Sequence, residues 1–487
     1  MRQATKPVRA WAVLGWLALA VIAPGAAHLR AGWRKTGLTL LGCYAAGLLA
    51  LLAVRLSTDN LLGELQENSW LTGVAAGAAV LGVAWFALIV HSFIVLRPGG
   101  LPQSGQILAG TFAGLLAVVV VLPFGVGANF VWTYRQALND IFVNDGSADG
   151  APDPQAGEKI RPEDPWAGRT RVNILLLGGD ADDNRIGVRT DSMNLATIDV
   201  KTGNTVLVSL PRNLENVRFR PGTPMAQHFP NGFRLPPDPG GGRSDLLNSV
   251  WEYADAHPEI FGGKQHQGPR VLMDTIGYTL GLKVDWYALV NMWGFARLID
   301  AIGGVRITVE QDVVFGKYNE GLVKAGTRKL KGADAMWYAR SRTFSDDFTR
   351  MRRQRCVIGA LLDQADPATV LTRFNKIAFA TKELIKTDIP RPMLKHLVPL
   401  ALTVKNAKVT SVQFVPPLIS TAYPDWAKIR TITEKAIRDS AASRPVAATA
   451  SAAPSSSPSP SKSPSKAPKK PKESDPTKTL TEGCGSA

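Results

Sequence analysis

The residue types best suited to chemistry are concentrated in one segment, which reads ARSRTFSDDFTRMRRQ and ends at Gln354. Arg340 and Arg342 stand two residues apart, and an acidic pair follows where the spacing predicts the start of a helix that runs to Leu362. On that helix three polar residues share one face, opposite an apolar face: Asp347, Arg350 and Gln354. Guanidinium groups present rigid forks of donors, so several arginines that converge suit a pyrophosphate better than a single carboxylate. Charge runs more often form a solvated basic face with an incidental salt bridge, and composition alone favours that alternative.

Two further carboxylates are candidates for a metal site. The apolar run from Val172 ends in two glycines and Asp180, as expected of a buried strand that enters a loop. Asp180 would emerge at the carboxyl end of this strand, and Asp191 lies just before the next one. Two carboxylates that meet there could hold Mg²⁺, whose hard charge prefers oxygen ligands and phosphate partners. Alternatively, both are ordinary turn aspartates. A third strand ends at Pro211, which would aim Arg212 at the same region.

Strands and helices are interleaved after residue 170, and this order predicts a sheet covered by helices on both faces. The predicted strands are Val172–Asp180, Leu195–Val200, Thr205–Leu210, Arg306–Phe315 and Val409–Val415. The residues Lys201 to Asn204 predict a hairpin between the second and third strands. The predicted helices are Val271–Gly281, Ala288–Ile302, Lys331–Tyr338 and the helix of the arginine segment, with two more around the last strand.

Residues 1–135 predict an all-α membrane module. Three apolar stretches are long enough for a bilayer core that needs about 20 apolar residues: Gly37–Leu56, Leu71–Leu96 and Ile107–Val131. A shorter stretch, Ala10–Ala27, predicts either a fourth span or a re-entrant segment. Basic residues lie on both sides of it, so the positive-inside rule favours the re-entrant alternative. The same rule, with an acidic loop between residues 57 and 70, predicts that everything after Tyr134 is extracytoplasmic. A removable signal peptide is not expected, because further spans follow at once.

Composition narrows the possible partners. The chain carries 56 Lys and Arg against 40 Asp and Glu, a net charge of +16. This excess predicts an anionic partner: a nucleic acid, a membrane surface or a phosphorylated substrate. The predicted topology excludes nucleic acid. The 6 histidines show no metal-binding pattern, and no Ser-His-Asp arrangement is suggested by spacing, which disfavours a zinc site and covalent catalysis.

The rest of the chain divides by composition. Residues 136–170 predict a linker, residues 171–440 a folded domain, and residues 441–487 a disordered tail rich in Ala, Ser, Pro and Lys. The lysines of this tail could alternatively bind an anionic polymer. With only 3 cysteines, a disulfide framework is not expected. We expect Cys43 and Cys356 to be packing residues and Cys484 to be a free or intermolecular thiol.

Four ordered motifs lie between Arg171 and Asp366. The arginine segment contains an Arg-x-Arg pair, then Asp-Asp-Phe-x-Arg and Arg-Gln. The other three are Arg189–Asp199, Val208–Arg212, and Asp285-Trp-Tyr followed by Leu298–Val305. Together these motifs resemble the signature of the LytR-CpsA-Psr family, which are cell-wall glycopolymer ligases. Asn213 stands where that family generally has aspartate, and Arg243 is the candidate for a basic residue that the family has near Asn248.

The resemblance implies an α/β fold in which an extracytoplasmic α-β-α sandwich carries catalysis and follows the multi-span membrane module. It also implies a hydrophobic pocket for a polyprenyl chain, and apolar stripes such as Leu289, Met292 and Phe295 fit either this pocket or an ordinary core. The implied function is a phosphotransferase that moves a glycopolymer from a polyprenyl-pyrophosphate carrier to peptidoglycan or a related cell-wall acceptor. A polyprenyl-pyrophosphate hydrolase and a non-catalytic binder that regulates wall assembly are the alternatives.

The resemblance also implies roles for single residues. Four arginines would clamp the pyrophosphate: Arg212, Arg340, Arg342 and Arg350. Arg189 and Gln354 would contribute to substrate binding, and Asp180 and Asp191 would hold Mg²⁺ or Mn²⁺. Asp347 would orient Arg350 or assist the acceptor hydroxyl. The predicted partners are therefore the lipid-linked glycopolymer, peptidoglycan and the membrane.

Overall fold

The computed structural model describes residues 10–57, 68–96, 100–142, 147–148, 151–152, 164–180, 188–237, 239, 242–365, 385–442, 476–480, 482 and 484. The basic residues before the first apolar stretch, most of the acidic loop after residue 57 and most of the tail lie outside these residues. The chain divides into two units, Met1–Leu138 and Asn139–Ala487.

The first unit is built from helices. Their bounds are α1 Ala10–Ile22, α2 Ala26–Arg30, α3 Arg34–Ser57, α4 Asn68–Val95 and α5 Gln103–Ile141. Three segments are long and apolar enough to cross a membrane: Arg34–Ala53, Ser69–Val95 and Gln103–Gln136. They agree with the three predicted spans and indicate that the protein is anchored in a membrane. The shorter apolar stretch forms α1 and α2 with a break at Gly25, where φ is 103°.

The strands of the second unit are β1 Ser147–Ala148, β2 Ala151–Pro152, β3 Arg171–Asp180, β4 Arg189–Asp199, β5 Thr205–Leu210, β6 Trp286–Asn291, β7 Val305–Val309, β8 Val313–Phe315, β9 Gly321–Val323, β10 Gly326–Leu330, β11 Ile385–Thr387, β12 Val409–Gln413 and β13 Thr477–Thr479. Seven of them form one sheet in the order β11-β6-β3-β4-β5-β12-β13. The pairs β6/β3 and β5/β12 are parallel and the other four pairs are antiparallel. The predicted hairpin between β4 and β5 is confirmed.

The helices of the second unit are α6 Pro224–His228, α7 Val250–Ala256, α8 Gly268–Leu280, α9 Met292–Ala301, α10 Gly332–Arg340, α11 Asp347–Gln364, α12 Leu394–Lys405 and α13 Trp426–Ala442. Short 3-10 turns lie at Leu247–Ser249, Pro258–Phe261 and Arg391–Met393. The arginine segment begins α11, as its spacing predicts, while α10 runs to Arg340, two residues beyond the predicted helix Lys331–Tyr338.

Helices cover both faces of the central sheet. Successive side chains of β3 point to opposite faces, so this one strand packs against both helical layers. Leu175 and Leu177 pack with residues of α7, α8 and α13 on one face. Leu176, between them in sequence, packs on the other face with α11 and α12. Each fully buried leucine stabilises the fold by about 1.5–3 kcal/mol relative to an exposed one. The predicted α-β-α sandwich is confirmed.

A smaller core fixes the position of the arginine segment. The antiparallel pair β7 and β10 packs its buried residues, among them Val305 and Leu330, against α9, α10 and α11. In addition, the hydroxyl of Ser341, directly after α10, donates a hydrogen bond of 2.5 Å to the carbonyl of Val314 in β8. The loop between α10 and α11 is thus fixed to β8 at its first residue.

Two predicted elements differ from the structure. Ala288–Ile302 was expected to be one helix, but its first residues belong to β6, which is parallel to β3, and the helix begins at Met292. The Asn291 side chain caps it by accepting a bond from Gly294 N at 2.7 Å. Short apolar runs such as Ala288–Val290 fit a buried strand or a helix equally by periodicity, so pairing with β3 decides the outcome. Arg306–Phe315 is interrupted between Val309 and Val313 and forms β7 and β8.

The end of the chain requires a third correction. Residues 441–487 were predicted to be a disordered tail, but Thr477–Thr479 forms β13 against β12 and Leu480 packs in the core beside β5. Cys484 forms a disulfide with Cys356 of α11, so the predictions of a free thiol and of a mere packing residue are wrong. The prediction rested on the composition of the whole tail. A single short strand and one cysteine change that composition very little, so the ordered segment was not detected.

Candidate active site

Asp191 occupies a β-bulge at one end of the central sheet. The register of β3 and β4 pairs Gly178 with Ser192 but Gly179 with Thr190, so Asp191 is an extra residue in β4. Bulges bend the strand and redirect a side chain, and they are frequent beside functional sites. The bulge therefore turns the Asp191 carboxylate away from the regular ladder.

Asp180 lies at the same end of the strand pair, because its backbone is paired with Arg189. This agrees with the expectation that Asp180 and Asp191 emerge at one edge. The side chain of Asp180 is outside what the structure describes. The backbone at Gly179 is closely packed, since a Cβ there would lie 2.7 Å from Val188 Cγ1 and 2.9 Å from Leu289 Cδ1, so a larger residue would require these side chains to shift.

Arg212 connects this edge to α11. It lies two residues after the end of β5, and its Nη1 atom donates to Asp191 Oδ1 at 2.5 Å. Its Nε atom lies 3.3 Å from Oδ1 of Asp347, in the first turn of α11. The peptide N–H of Asn248 donates to the carbonyl of Arg212 at 3.1 Å, which fixes the backbone from the opposite side. One guanidinium thus bridges two carboxylates from separate elements.

Asp347 also holds Arg350. The Arg350 Nε atom donates to Asp347 Oδ1 at 3.0 Å and Nη2 donates to Oδ2 at 3.2 Å. This paired geometry is the strong, oriented form of an arginine–carboxylate contact. Asp346 caps the helix by accepting a bond of 2.6 Å from Thr349 N, so the first turn that carries Asp347 is well defined. Arg350 itself is only 4% exposed.

Arg342 adds a third guanidinium to the group. Partial burial and the positive charges of Arg212 and Arg350 lower the pKa of Arg342, while Asp347 and Asp191 act in the opposite direction. The five side chains therefore feel one another's charge. We call these residues the arginine cluster. Three cations against two carboxylates leave it with an excess of positive charge, which suits an anion with several oxygens.

A polar cleft borders the arginine cluster. Its lining residues come from β4, β5, α11 and β12: Asp191, Ser192, Met193, Asn194, Ser209, Leu210, Arg350, Met351, Gln354 and Gln413. The Ser209 hydroxyl donates to Asn194 Oδ1 at 2.5 Å, and Asn194 Nδ2 donates to Ser192 Oγ at 2.9 Å. Gln413 Nε2 donates to the Met351 carbonyl at 3.0 Å. A chain of polar side chains thus leads from the sheet towards the arginine cluster.

Seven of the ten lining residues were not predicted as site residues, among them the polar Asn194, Ser209 and Gln413. A signal does exist, because Asn194 and Ser209 interrupt apolar strands at positions that prove buried. Buried polar groups need partners and are therefore informative. Such residues can only be tied to a site once the pairing of β4 with β5 is known.

The remaining predicted site residues, Gln354, Arg340 and Arg189, make other contacts. Gln354 lines the cleft, and its Nε2 atom donates to the carbonyl of Ala339 at 3.3 Å. Arg340 lies with its Cζ atom 5.2 Å from the ring centre of Trp337. Arg189 Nε lies 3.8 Å from Glu252 Oε2 in α7. The structure thus brings Arg212, Arg342, Arg350, Asp191 and Asp347 together, with Gln354 beside them.

Arg243 belongs to a separate pair of contacts. It donates to both oxygens of Asp245 at 2.8 Å and to Glu215 Oε2 at 2.5 Å. The hydrogen bonds that Arg243 donates to Asp245 and Glu215 raise its pKa. The Oδ1 atom of Asn213 is buried without a hydrogen-bond partner in the described part of the chain. The amide at this position therefore does not take over a charged contact with Arg212 through that oxygen.

A cluster of three or more His, Cys, Asp or Glu side chains that could enclose a metal does not occur among the described residues. Of the two predicted metal ligands, Asp180 and Asp191, the structure describes the side chain of Asp191. One of its oxygens accepts a hydrogen bond from Arg212. Mg²⁺ is usually held by one or two carboxylates together with substrate phosphates rather than by a protein cage. The predicted metal pair therefore stays a prediction.

Fold and site together define an α/β protein, anchored by apolar helices, with a positively charged arginine cluster at one end of its central sheet. The model of the LytR_cpsA_psr family matches residues 144–423, which is more than half of the 487 residues. The chain therefore belongs to the LytR-CpsA-Psr family, as its motifs predict.

Several relatives carry the name polyisoprenyl-teichoic acid–peptidoglycan teichoic acid transferase TagU. The protein from Oceanobacillus iheyensis is 29% identical over 288 residues, which is 58% of this chain and 78% of the relative. The protein from Bacillus subtilis is 24% identical over 277 residues, with 56% and 76% of the two chains covered. Among solved structures, Bacillus subtilis TagV is 22% identical with a TM-score of 0.38, covering 56% of this chain and 97% of TagV.

Proposed function

We propose that this chain is a membrane-anchored phosphotransferase, which moves a glycopolymer from a polyprenyl-pyrophosphate carrier to peptidoglycan or a related cell-wall acceptor. The observation that carries the proposal is the joining of Arg212 and Arg350 through Asp347, beside Arg342. Their excess of positive charge suits a pyrophosphate. Membership of the family and the names of the TagU relatives support the same reaction.

The chemistry needs charge stabilisation more than a protein nucleophile. An acceptor hydroxyl would attack the phosphorus that carries the glycopolymer, so that a new P–O bond forms. The bond from this phosphorus to the carrier's own phosphate breaks, and the carrier phosphate leaves with the electron pair. Guanidinium groups fixed in advance around these oxygens would stabilise the developing charge. The hydroxyl proton would pass to water or to Asp347.

The roles follow the position of each residue. Arg212, Arg342 and Arg350 would clamp the pyrophosphate, with Asp347 orienting two of them. Gln354 would bond a phosphate oxygen from the cleft. Arg189 and Arg340 would complete substrate binding.

A divalent cation, Mg²⁺ or Mn²⁺, is part of the proposal. The residue types fit a divalent cation, because Asp180 and Asp191 are both carboxylates at the same end of β3 and β4. Arg212 bonds one oxygen of Asp191. Hard cations commonly combine one or two such carboxylates with phosphate oxygens. When bound, the ion would neutralise part of the pyrophosphate charge.

The proposed location is the cell membrane, with several passes and an extracytoplasmic catalytic domain. The three apolar helices support anchoring, and the distribution of basic and acidic residues around them supports this orientation. A domain attached beside the bilayer can reach a lipid-borne substrate without a soluble donor.

The test uses the full chain in detergent with a polyprenyl-pyrophosphate-linked oligosaccharide, peptidoglycan fragments and Mg²⁺. Arg212→Lys and Arg350→Lys keep the charge but lose the fork of donors, so each should reduce product formation at least about 100-fold. Arg220→Lys is the control, because Arg220 also pairs with a carboxylate, that of Asp274 at 2.6 Å, but lies outside the arginine cluster.

Each outcome has a distinct meaning. Acceptor-linked sugar that depends on Arg212 and Arg350 supports the transferase. Phosphate release without acceptor would make the protein a hydrolase. Tight binding of the lipid-linked donor without any product would leave a recognition module.

A further inference from the structure

The loop between α10 and α11 presents one aromatic side chain to solvent. Phe344 is 84% exposed, and its φ of 56° is in the left-handed region. That conformation is uncommon for any residue except glycine and rarer still for a bulky one. Strained backbone of this kind persists only where the surrounding structure imposes it, and it is frequent at functional sites.

The surrounding structure does impose this conformation. Arg353 is buried, and its Nη2 atom donates to the Ser341 carbonyl at 2.5 Å and to Ser345 Oγ at 3.0 Å. Ser345 N donates to the Arg342 carbonyl at 3.0 Å. The loop is thus held immediately before and after Phe344. A buried arginine fixes the loop, and the fixed loop holds the phenyl ring outward.

The ring belongs to the loop that connects two members of the arginine cluster, Arg342 and Asp347. It is two residues after Arg342 and three before Asp347 in the sequence. The side chains of Arg350 and Asp347 are largely buried, at 5% and 16% exposed, whereas Phe344 as a residue is 84% exposed. A ligand that approaches the arginine cluster from solvent along this loop would meet the ring first.

The neighbours of Phe344 indicate the chemistry of its partner. Thr343 and Ser345 flank it, and Arg342 and Asp346 are the next residues on either side. An isolated ring among polar groups does not offer the continuous apolar surface that a prenyl chain needs. It matches a pyranose ring, whose C–H face can lie on the electron-rich face of the phenyl group while its hydroxyls contact the polar neighbours.

We propose that Phe344 is a stacking platform for a sugar ring of the acceptor glycan and positions its hydroxyl towards the pyrophosphate in the arginine cluster. This inference rests on the proposed function. The acceptor is the partner, rather than the sugar of the donor, because the acceptor is the component that must enter from the open side. The donor sugar is attached directly to the pyrophosphate, which the more buried arginines hold.

The experiment measures acceptor and donor dependence separately with the full chain in detergent. Phe344→Gly removes the ring and relaxes the left-handed backbone, so a loss of function cannot be attributed to unfolding. We expect the KM for a soluble peptidoglycan glycan fragment to rise about three- to tenfold. The donor KM and the rate of acceptor-independent phosphate release should not change. Phe344→Trp should restore the acceptor KM.

Tyr423→Ala is the matched control, because Tyr423 is an equally exposed aromatic residue on a different loop. A rise in donor KM instead of acceptor KM would overturn the proposal and assign the ring to the donor sugar or its prenyl chain. An unchanged acceptor KM in Phe344→Gly would also overturn it.

Equilibrium binding of the glycan fragment to the full chain, measured by calorimetry, separates this inference from the proposed function. Wild-type protein that shows no turnover but binds the fragment more tightly than Phe344→Gly supports the platform and contradicts the transferase. Equal affinity of the two proteins, or no binding to wild type, contradicts the platform whatever the turnover.

Discussion

Asp347 lies 3.3 Å from the Nε atom of Arg212, and this contact joins the end of β5 to the first turn of α11. The two residues are far apart in sequence and come from elements with different structural roles. Because the same carboxylate also binds Arg350, one acidic side chain sets the spacing of two guanidinium groups. The geometry of the arginine cluster therefore depends on how α11 packs against the sheet.

Replacing Asp347 with alanine should destabilise the protein and make its stability depend on an added anion. Arg212 and Arg350 would lose a shared partner, and Arg350 is almost completely buried. A loss of about 1–3 kcal/mol is expected for a charged hydrogen-bonding group left without its partner. Inorganic pyrophosphate should raise the Tm of Asp347→Ala more than that of wild type, as measured by differential scanning fluorimetry. An equal shift in both proteins would show that the anion binds elsewhere.

Asp346 should stabilise α11 in a way that depends on pH. Hydrogen bonds from Thr349 lower the pKa of Asp346, so its contribution is present above the unfolded pKa of about 3.9 and is lost as the pH falls through the lower folded pKa. Asp346→Ala should therefore reduce stability by about 1 kcal/mol at neutral pH, with a smaller difference in strong acid. Asp346→Asn keeps a capping oxygen and should show little of this pH dependence. The Tm values of wild type, Asp346→Ala and Asp346→Asn, measured from neutral to acid pH, test this prediction. A difference in Tm between wild type and Asp346→Ala that stays constant with pH would contradict it.

The sequence alone predicted four of the seven strands of the central sheet, β3, β4, β5 and β12, and the polar face of α11. Asp347, Arg350 and Gln354 follow a helical period, and a strict local period survives folding because α11 is one uninterrupted helix. The same local rule could not place Arg340. It stands two residues from Arg342, but it is the last residue of α10 and lies over the ring of Trp337, because the chain leaves the helix at Ser341, where ψ is 138°.

Long-range contacts account for what was missed. The bulge at Asp191 depends on the register of β3 with β4, and the start of α9 depends on the parallel pairing of β6 with β3. Neither has a local signal beyond glycines and short apolar runs. The disulfide of Cys356 with Cys484 joins residues separated by 128 positions, a pairing that spacing alone does not determine.

The buried bond between Ser209 and Asn194 should support the cleft beside the arginine cluster. Asn194 is 7% exposed and Ser209 3% exposed, so Ser209→Ala leaves Asn194 Oδ1 without its donor at a loss of about 1–3 kcal/mol. The double variant Ser209→Ala/Asn194→Leu removes both polar groups. Its loss of unfolding free energy should be smaller than the sum of the losses in the two single variants. Denaturant unfolding of all four proteins gives the coupling, and strict additivity would mean that the bond has no net effect.

The disulfide should stabilise the helix that carries Arg350 and Gln354. Cys484 attaches β13 and Leu480 to α11, and the neighbouring Arg355 Nη2 donates to the Glu482 carbonyl at 2.6 Å. Closing so long a loop typically contributes about 2–4 kcal/mol, so Cys484→Ser or reduction should lower the Tm of the full chain. Cys43→Ser is the control, because Cys43 is a free thiol in α3. Hydrogen exchange should show faster opening of β12 and α11 in Cys484→Ser, and unchanged exchange in both elements would mean that strand pairing alone holds the end of the chain.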